Sequence, residues 1–280
     1  MAITKLIADS GATKAEWCLL AGSRRKTIFT QGISPYFLNT EQIHDLLLKE
    51  LCPFFKQNRV NEVYYYGTGM RNPKNVRMLK SCLKMVFESA AIEINDDMLS
   101  AARGLAGNKK VIACNLGTGS FCCYYNGKKI VKRSPGIGYI LGDEGSGAYL
   151  GKKVIQYYLY NTFDNGLRDK FEEKYKTKPV EILENVYRKP LANRYLAAFS
   201  LFLSENRGHY MIENIIEDGL NDFFFNHLRK YKETSSLPVS FVGGVAYGFR
   251  DILQQLCITY EMQLGKVLKN PMQGLIDYHG

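Results

Sequence analysis

Apolar and polar residues alternate along this chain in one arrangement that occurs twice. Residues 5–9 form an apolar run, Lys5-Leu6-Ile7-Ala8-Asp9, that breaks into Ser10-Gly11-Ala12-Thr13-Lys14. Residues 15–20 resume the apolar pattern, a polar turn follows at 21–26, and a third strand is predicted over 27–31. The second occurrence starts at Val111-Ile112-Ala113-Cys114-Asn115-Leu116, turns at Gly117-Thr118-Gly119-Ser120 and resumes over 121–125. Asn126-Gly127 then suits a two-residue hairpin turn, because both residues tolerate positive φ, and 128–133 reads as the returning strand. When the two are laid over each other, Asp9 falls on Asn115, Gly11 on Gly117 and Thr13 on Gly119, 106 residues apart. That spacing predicts an internal duplication with one glycine-containing hairpin in each half.

The segments between the hairpins have a helical period. Asn39 can cap a helix whose third residue is Gln42, with Ile43, Leu46, Leu47 and Leu51 on its apolar face before Pro53. A strand over 62–66 ends in Gly67-Thr68-Gly69, and Val76, Leu79, Cys82, Leu83, Val86 and Phe87 mark the next helix. A short strand at 92–94 leads through Asn95-Asp96-Asp97 to a small-residue helix over 98–103. Three antiparallel strands followed by alternating helices and strands imply a mixed sheet with helices on its faces. After the second hairpin, Gly142-Asp143-Glu144-Gly145-Ser146-Gly147 opens a helix through Tyr160, and 167–232 is mostly helical. Residues 239–242 form a buried strand that meets Gly243-Gly244 and a helix through Leu256. The domain boundary is drawn near 104–109, giving domains 1–106 and 107–280, the second with a helical insertion.

Composition narrows the function classes. A chain of 280 residues can bury a large core, and it contains no apolar stretch of 18 residues and no leader pattern. Its seven cysteines are odd in number, lack C-x-x-C spacing and lie mostly in apolar runs, as expected of reduced core residues in a cytoplasmic protein. The net charge of +10 comes from scattered lysines and arginines in short clusters, and no zinc-finger or RNA-recognition spacing accompanies it, so neither nucleic acid nor membrane is expected as a partner. His209 and His227 have no partner at metal-ligand spacing and read as structural or exposed.

The candidate chemistry lies at the turns. Gly117 and Gly119 lack side chains while Thr118 and Ser120 add hydroxyls, so this turn can offer N–H and O–H groups to a phosphate, or it is simply a glycine-rich hairpin. Gly243-Gly244 lets a backbone approach a flat ligand or pack tightly. Asp96, Asp97 and the Asp143-Glu144 pair each stand where a helix begins, and capping alone would explain them.

In this order, the motifs at 9–14, 115–120, 142–147 and 241–245 and the closing Asn270-Pro271-Met272-Gln273-Gly274-Leu275 make the chain resemble the BadF/BadG/BcrA/BcrD ATPase family, in its N-acetylglucosamine kinase-like branch within the sugar kinase, actin and heat-shock ATPase superfamily. The resemblance implies an α/β fold of two ribonuclease-H-like, actin-like ATPase domains around a central nucleotide cleft, using ATP and Mg²⁺ to phosphorylate a small-molecule sugar, with a homodimer compatible. It implies Asp9 as the Mg²⁺ residue and Asp97 as the catalytic carboxylate. Gly11, Thr13, Lys14, Gly117, Thr118, Gly119 and Ser120 would hold the phosphates, and Gly243 and Gly244 the adenosine. Ser34, Asn39, Phe121, Asp143 and Glu144 would form the sugar site. This chain departs from the family at Gly32-Ile33-Ser34 and at Phe121, where an amide is usual. An unmatched polar group on a ligand costs about 1 to 3 kcal/mol, so a nucleotide- or sugar-binding regulator without efficient transfer is the alternative. The activators of radical dehydratases share the phosphate motifs, but their Cys-Gly-Gly context is absent here.

Overall fold

The structure, a computed structural model, describes residues 3–11, 14–56 and 60–280. The chain groups into two compact units: Met1–Lys109 with Gly127–Lys129 and Pro271–Gly280, and Lys110–Asn126 with Ile130–Asn270. The last ten residues, expected in the second domain, therefore pack with the first unit.

In the first unit, β1 (Thr4–Ser10), β2 (Lys14–Ala21) and β3 (Arg24–Gln31) form an antiparallel meander, and β4 (Glu62–Gly67) and β5 (Ala91–Asp96) join parallel to β1. The sheet order is β3-β2-β1-β4-β5. Strand β1 is buried on both faces, which is why it reads as an unbroken apolar run. Leu6 and Ala8 enter the core shared with helices α1 (Thr40–Leu46) and α2 (Pro73–Val86). Ile7 faces the other side, where it meets Leu275 and Ile276 of the C-terminal helix α13 (Met272–His279). The predicted helix up to Pro53 is α-helical only to Leu46, continues as a π turn (Leu47–Leu51) and closes as a 3₁₀ turn (Cys52–Phe54).

Helix α3 (Asp97–Ala106) packs beside α13, and the approach is close because both contact positions are glycine. A Cβ on Gly274 would lie 1.8 Å from the Gly104 carbonyl oxygen. Arg103 fixes the same junction, donating to the Tyr66 hydroxyl at 2.7 Å and to Glu93 at 3.0 Å, and Tyr66 meets His279 Nε2 at 2.8 Å.

The second unit repeats the plan. Strands β6 (Lys110–Leu116), β7 (Ser120–Asn126) and β8 (Ile130–Arg133) form the meander, and β9 (Val239–Val242) and β10 (Leu264–Leu268) join parallel, in the order β10-β9-β6-β7-β8. Numbered from its own first strand, each sheet runs 3-2-1-4-5, with the same antiparallel and parallel pairs. The duplication expected from the hairpins therefore extends to whole sheets, each mixed and flanked by helices. Between β8 and β9 lie α4 (Gly138–Leu141), α5 (Gly147–Leu159), α6 (Asn165–Tyr175), α7 (Pro179–Tyr187), α8 (Ala192–Ala198), α9 (Leu201–Glu205) and α10 (Tyr210–Asn226). Aromatic side chains, among them Tyr158, Phe163, Phe171, Phe199 and Phe202, fill the core of this insertion. The helix expected from Gly244 through Leu256 is two, α11 (Gly244–Gly248) and α12 (Arg250–Thr259), which meet at Phe249. All seven cysteines are buried, as expected, and none is disulfide-bonded.

Candidate active site

Parallel strands present their carboxyl ends on one edge of a sheet, the usual place for ligand chemistry in such folds. In the first unit the register aligns Asp9 with Tyr66 and Asn95, and Ser10 with Gly67 and Asp96. Asp9, the Gly67-Thr68-Gly69 turn and the start of α3 thus share that edge, and the Thr68 N–H donates to the Ser10 carbonyl at 3.2 Å.

Asp9 is half-buried and accepts a hydrogen bond from the Ser100 hydroxyl at 2.6 Å. Burial pushes its carboxyl up to about 6, against the Ser100 bond that pulls it down, and the nearby Asp97 and Glu16 carboxylates push it further up. The two aspartates at the head of α3 have different duties. Asp96 is the N-cap and accepts from the Leu99 N–H at 2.9 Å, whereas Asp97 is the first helical residue. An anion there is favoured by the helix's positive end.

Two residues join this edge that the sequence did not single out. Glu16 stands directly across β1–β2 from Asp9, and burial raises its carboxyl while Lys14 lowers it. Its sequence signal is a charge inside the apolar strand 15–20. Ser100 was visible only as part of a small-residue helix.

The remaining residues expected in the first unit are placed as follows. Gly11 and Lys14 close the turn after β1, with the Gly11 N–H donating to the Lys14 carbonyl at 3.0 Å. The Lys14 ammonium sits 3.8 Å from the centre of the Phe29 ring. Thr13 lies outside the described residues. Ser34 is buried, and its segment is tied to the edge because the Ile33 N–H donates to the Ser10 hydroxyl at 3.0 Å. Asn39 is exposed and caps α1 in a reciprocal capping box with Gln42, which occupies its carbonyl oxygen.

In the second unit the same edge carries a different chemistry. Asn115 aligns with Val242, and the turn formed by Gly117, Thr118, Gly119 and Ser120 follows. The N-terminus of α5 grips this turn: the Gly147 N–H donates to the Gly117 carbonyl at 2.7 Å and the Ala148 N–H to the Thr118 carbonyl at 3.1 Å. Ser146 caps that helix through the Tyr149 N–H at 3.1 Å. The Ser120 hydroxyl is buried and lacks a partner among the described residues. A buried donor left unmatched is costly.

Gly243 is required by packing. Its φ is +126°, and a Cβ would stand 2.2 Å from the Leu116 carbonyl oxygen. Gly244, by contrast, faces open space. Phe121 is half-buried opposite Asn115 on the neighbouring strand.

The acidic pair splays apart because Asp143 adopts φ +57°, in the left-handed region. The Asp143 carboxylate lies against Gly119, where a Cβ would be 3.1 Å from it. Burial raises that carboxyl, the Ser120 backbone N–H lowers it, and Glu144 raises it again. Glu144 turns the other way and meets His227 Nε2 at 2.9 Å. Sequence reading left His227 without a partner, since the two residues are 83 positions apart.

A groove of about 270 Å³ between α10 and α12, lined by residues such as Glu217, Asn221 and Gln255, contains none of these residues. Among the described residues no group of three or more histidine, cysteine or acidic side chains is arranged to hold a metal. None of their helices is long and apolar enough to cross a membrane.

No family model matches the chain. The N-acetylmuramic acid/N-acetylglucosamine kinase of Clostridium acetobutylicum is 28% identical over 142 residues, 48% of this chain and 46% of that protein, so the alignment spans about half of this curated relative. The crystal structure of a candidate N-acetylglucosamine kinase from Chromobacterium violaceum aligns over 100% of this chain and 99% of its own with a TM-score of 0.68 at 19% identity, and so shares the fold. The crystal structure of a candidate N-acetylglucosamine kinase from Porphyromonas gingivalis matches with a TM-score of 0.94 at 37% identity over 98% of both chains. With its two duplicated sheets in the actin-like ATPase fold, this chain belongs to the N-acetylglucosamine kinase-like family.

Proposed function

We propose that this protein is an ATP-dependent kinase that phosphorylates a hydroxyl of an amino sugar, N-acetylglucosamine or a close relative, and that it belongs to the wider BadF/BadG/BcrA/BcrD group. The observation that carries the reading is the edge of the first sheet. There Asp97 heads α3 beside a second carboxylate, Asp9, that is half-buried and held by Ser100. Asp97 would accept the proton of the attacking sugar hydroxyl, a role worth about 10²- to 10⁴-fold in rate. Phosphoryl transfer otherwise depends on positioning and on electrostatic stabilisation. The backbone and hydroxyls of Gly117, Thr118, Gly119 and Ser120, with Gly11, Thr13 and Lys14, would hold the phosphates, and Gly243 and Gly244 the adenosine. Asp143 and Glu144 would accept from other sugar hydroxyls, and Ser34, Asn39 and Phe121 are the further residues assigned to sugar binding.

The residues fit Mg²⁺. This ion keeps several waters and takes its remaining oxygens from one or two carboxylates and the substrate phosphates, so it needs no cage of three protein ligands. Asp9, its carboxyl raised by burial and by two neighbouring acids, is the group that would hold it through water. When bound, the ion supplies charge neutralisation at the phosphates. A neutral sugar as the partner and a cytoplasmic site of action accord with this reading.

A second reading, a nucleotide- or sugar-binding regulator, is favoured by Phe121, whose ring offers no hydrogen bond where the family carries an amide. Measuring ADP release with Mg²⁺-ATP against N-acetylglucosamine, N-acetylmannosamine, glucosamine, glucose and N-acetylmuramic acid separates the two. Turnover with one sugar is expected. Silence across the panel with ATP and sugar still bound would favour the regulator.

A further inference from the structure

The Glu144–His227 pair is an enclosed ion-pair geometry of the second unit, with side chains 15% and 8% exposed. Glu144 belongs to the segment between α4 and α5, which is wedged against α10. A Cβ on Gly145, at φ +70°, would meet the Phe223 Cβ at 3.0 Å and a Leu116 methyl carbon at 3.4 Å. His227 follows directly at the end of α10, its ring 5.0 Å from that of Phe223. The carboxylate of Glu144 is thus brought to His227 from a loop whose other acid, Asp143, contacts the phosphate turn.

Of the two ring nitrogens, Nε2 faces Glu144 at 2.9 Å and Nδ1 is buried with no partner among the described residues. A buried N–H without an acceptor costs more than a bare ring nitrogen, so the geometry assigns the N–H to Nε2, donating to Glu144 Oε2. Glu144 Oε1 has no hydrogen bond among the described residues. A carboxylate fixed through one oxygen presents the other as an acceptor in a set direction, a demand met only by a hydroxyl or an N–H.

We propose that His227 is a positioning residue of the acceptor site: it holds Glu144 so that Oε1 receives a hydroxyl or amide N–H of the sugar. The proposal rests on the sugar-kinase reading for the identity of the ligand. A carboxylate oxygen held in this way selects a sugar that offers a hydroxyl or N–H at that point, and a sugar placing its own carboxylate there is disfavoured.

The test is steady-state kinetics and sugar calorimetry on the wild type, His227→Phe, His227→Gln, His227→Ala, Glu144→Gln and the double variant Glu144→Gln/His227→Ala. His227→Phe keeps a ring but removes the donor, and should raise the sugar KM about tenfold or more while the ATP KM stays within about twofold and kcat changes little. His227→Gln restores an N–H donor and should recover most of the loss. His227→Ala should raise the sugar KM as His227→Phe does, yet add nothing further in the Glu144→Gln background, because the two residues act as one unit.

An unchanged sugar KM in His227→Phe, an equal rise in the ATP KM, or additive losses in the double variant would overturn the proposal. If the Phe variant does not fold, the Glu144→Gln pair decides alone. Sugar binding without turnover by the wild type would sink the kinase reading, and the same comparison would then be read on the sugar Kd. No sugar binding by the wild type overturns both.

Discussion

The two units present the same edge of the same 3-2-1-4-5 sheet and furnish it with different side chains. At the end of the first strand one has Asp9 and the other Asn115, two side chains of equal shape that differ by a charge. Around Asp9 the neighbours are Glu16, Asp97 and Ser100. Around Asn115 they are Gly117, Gly119 and Phe121, with the Asn115 amide 3.5 Å from the Gly119 carbonyl and the Asp143 carboxylate against Gly119. On the proposed reading, a duplicated scaffold is divided between a half that serves the proton and the cation and a half that holds the phosphates. The lesson is that one topology was built twice, and a few side chains at strand ends distinguish the copies.

The comparison breaks most sharply at Asp9. Replacing it with Asn, the residue its counterpart carries, should lower sugar-dependent ADP release by about 10²-fold or more. The same change should stabilise the nucleotide-free protein. With a folded value near 6 against an ordinary 3.8, the folded state holds its proton more tightly. Stability from this group is therefore present at low pH and lost as pH rises from about 4 to 6. By pH 8 ionised Asp9 costs about 2 to 3 kcal/mol. Melting curves of Asp9→Asn should gain at pH 8 and show no gain at pH 4. A loss at pH 8 would contradict the assigned burial.

On the other side, Gly243→Ala puts a methyl into the Leu116 carbonyl at a left-handed φ. Strain alone should cost about 1 to 3 kcal/mol, read as a lowered melting temperature together with weaker nucleotide binding. Gly244→Ala, facing open space, should leave stability nearly unchanged. Equal effects at both positions would remove the distinction between packing and ligand approach.

Asn115→Asp gives the second edge the charge of the first. It should weaken nucleotide affinity about tenfold, more at low salt than at high, as expected of like charges in proximity.

The smallest effect concerns the C-terminal helix. Burial, with help from the Arg103 guanidinium, lowers His279 from 6.5 to about 4. Between those values the unfolded chain binds the proton and the folded one does not, so stability should fall as pH drops from about 6.5 to 4. After solvent screening this amounts to about 1 to 2 kcal/mol. His279→Gln should flatten that part of the melting profile.

Much of this division was legible in the sequence because both meanders pair apolar runs with glycine turns, a local signal. Motif order singled out Asp9, Asp97 and the turn from Gly117 to Ser120, and each lies at a strand end or helix start. The missing parts depend on contacts that order does not reveal. Strand β10 is short and only partly buried, and Gly265 interrupts its pattern. Glu16 gains its meaning from standing across a strand pair from Asp9, and His227 from the loop that brings Glu144 to it. Asn39 carried two readings, and the structure uses its carbonyl oxygen as a cap.

The central claim is that Asp97, and not its neighbour, serves the transfer. It is tested most directly by sugar-dependent ADP release from Asp97→Asn and Asp96→Asn, each beside the wild type. Asp97→Asn should lose at least about 10²-fold in kcat while still binding sugar. Asp96→Asn should keep turnover near wild type, since Asn caps a helix about as well as Asp. Wild-type turnover by Asp97→Asn, or loss in Asp96→Asn alone, would contradict the account.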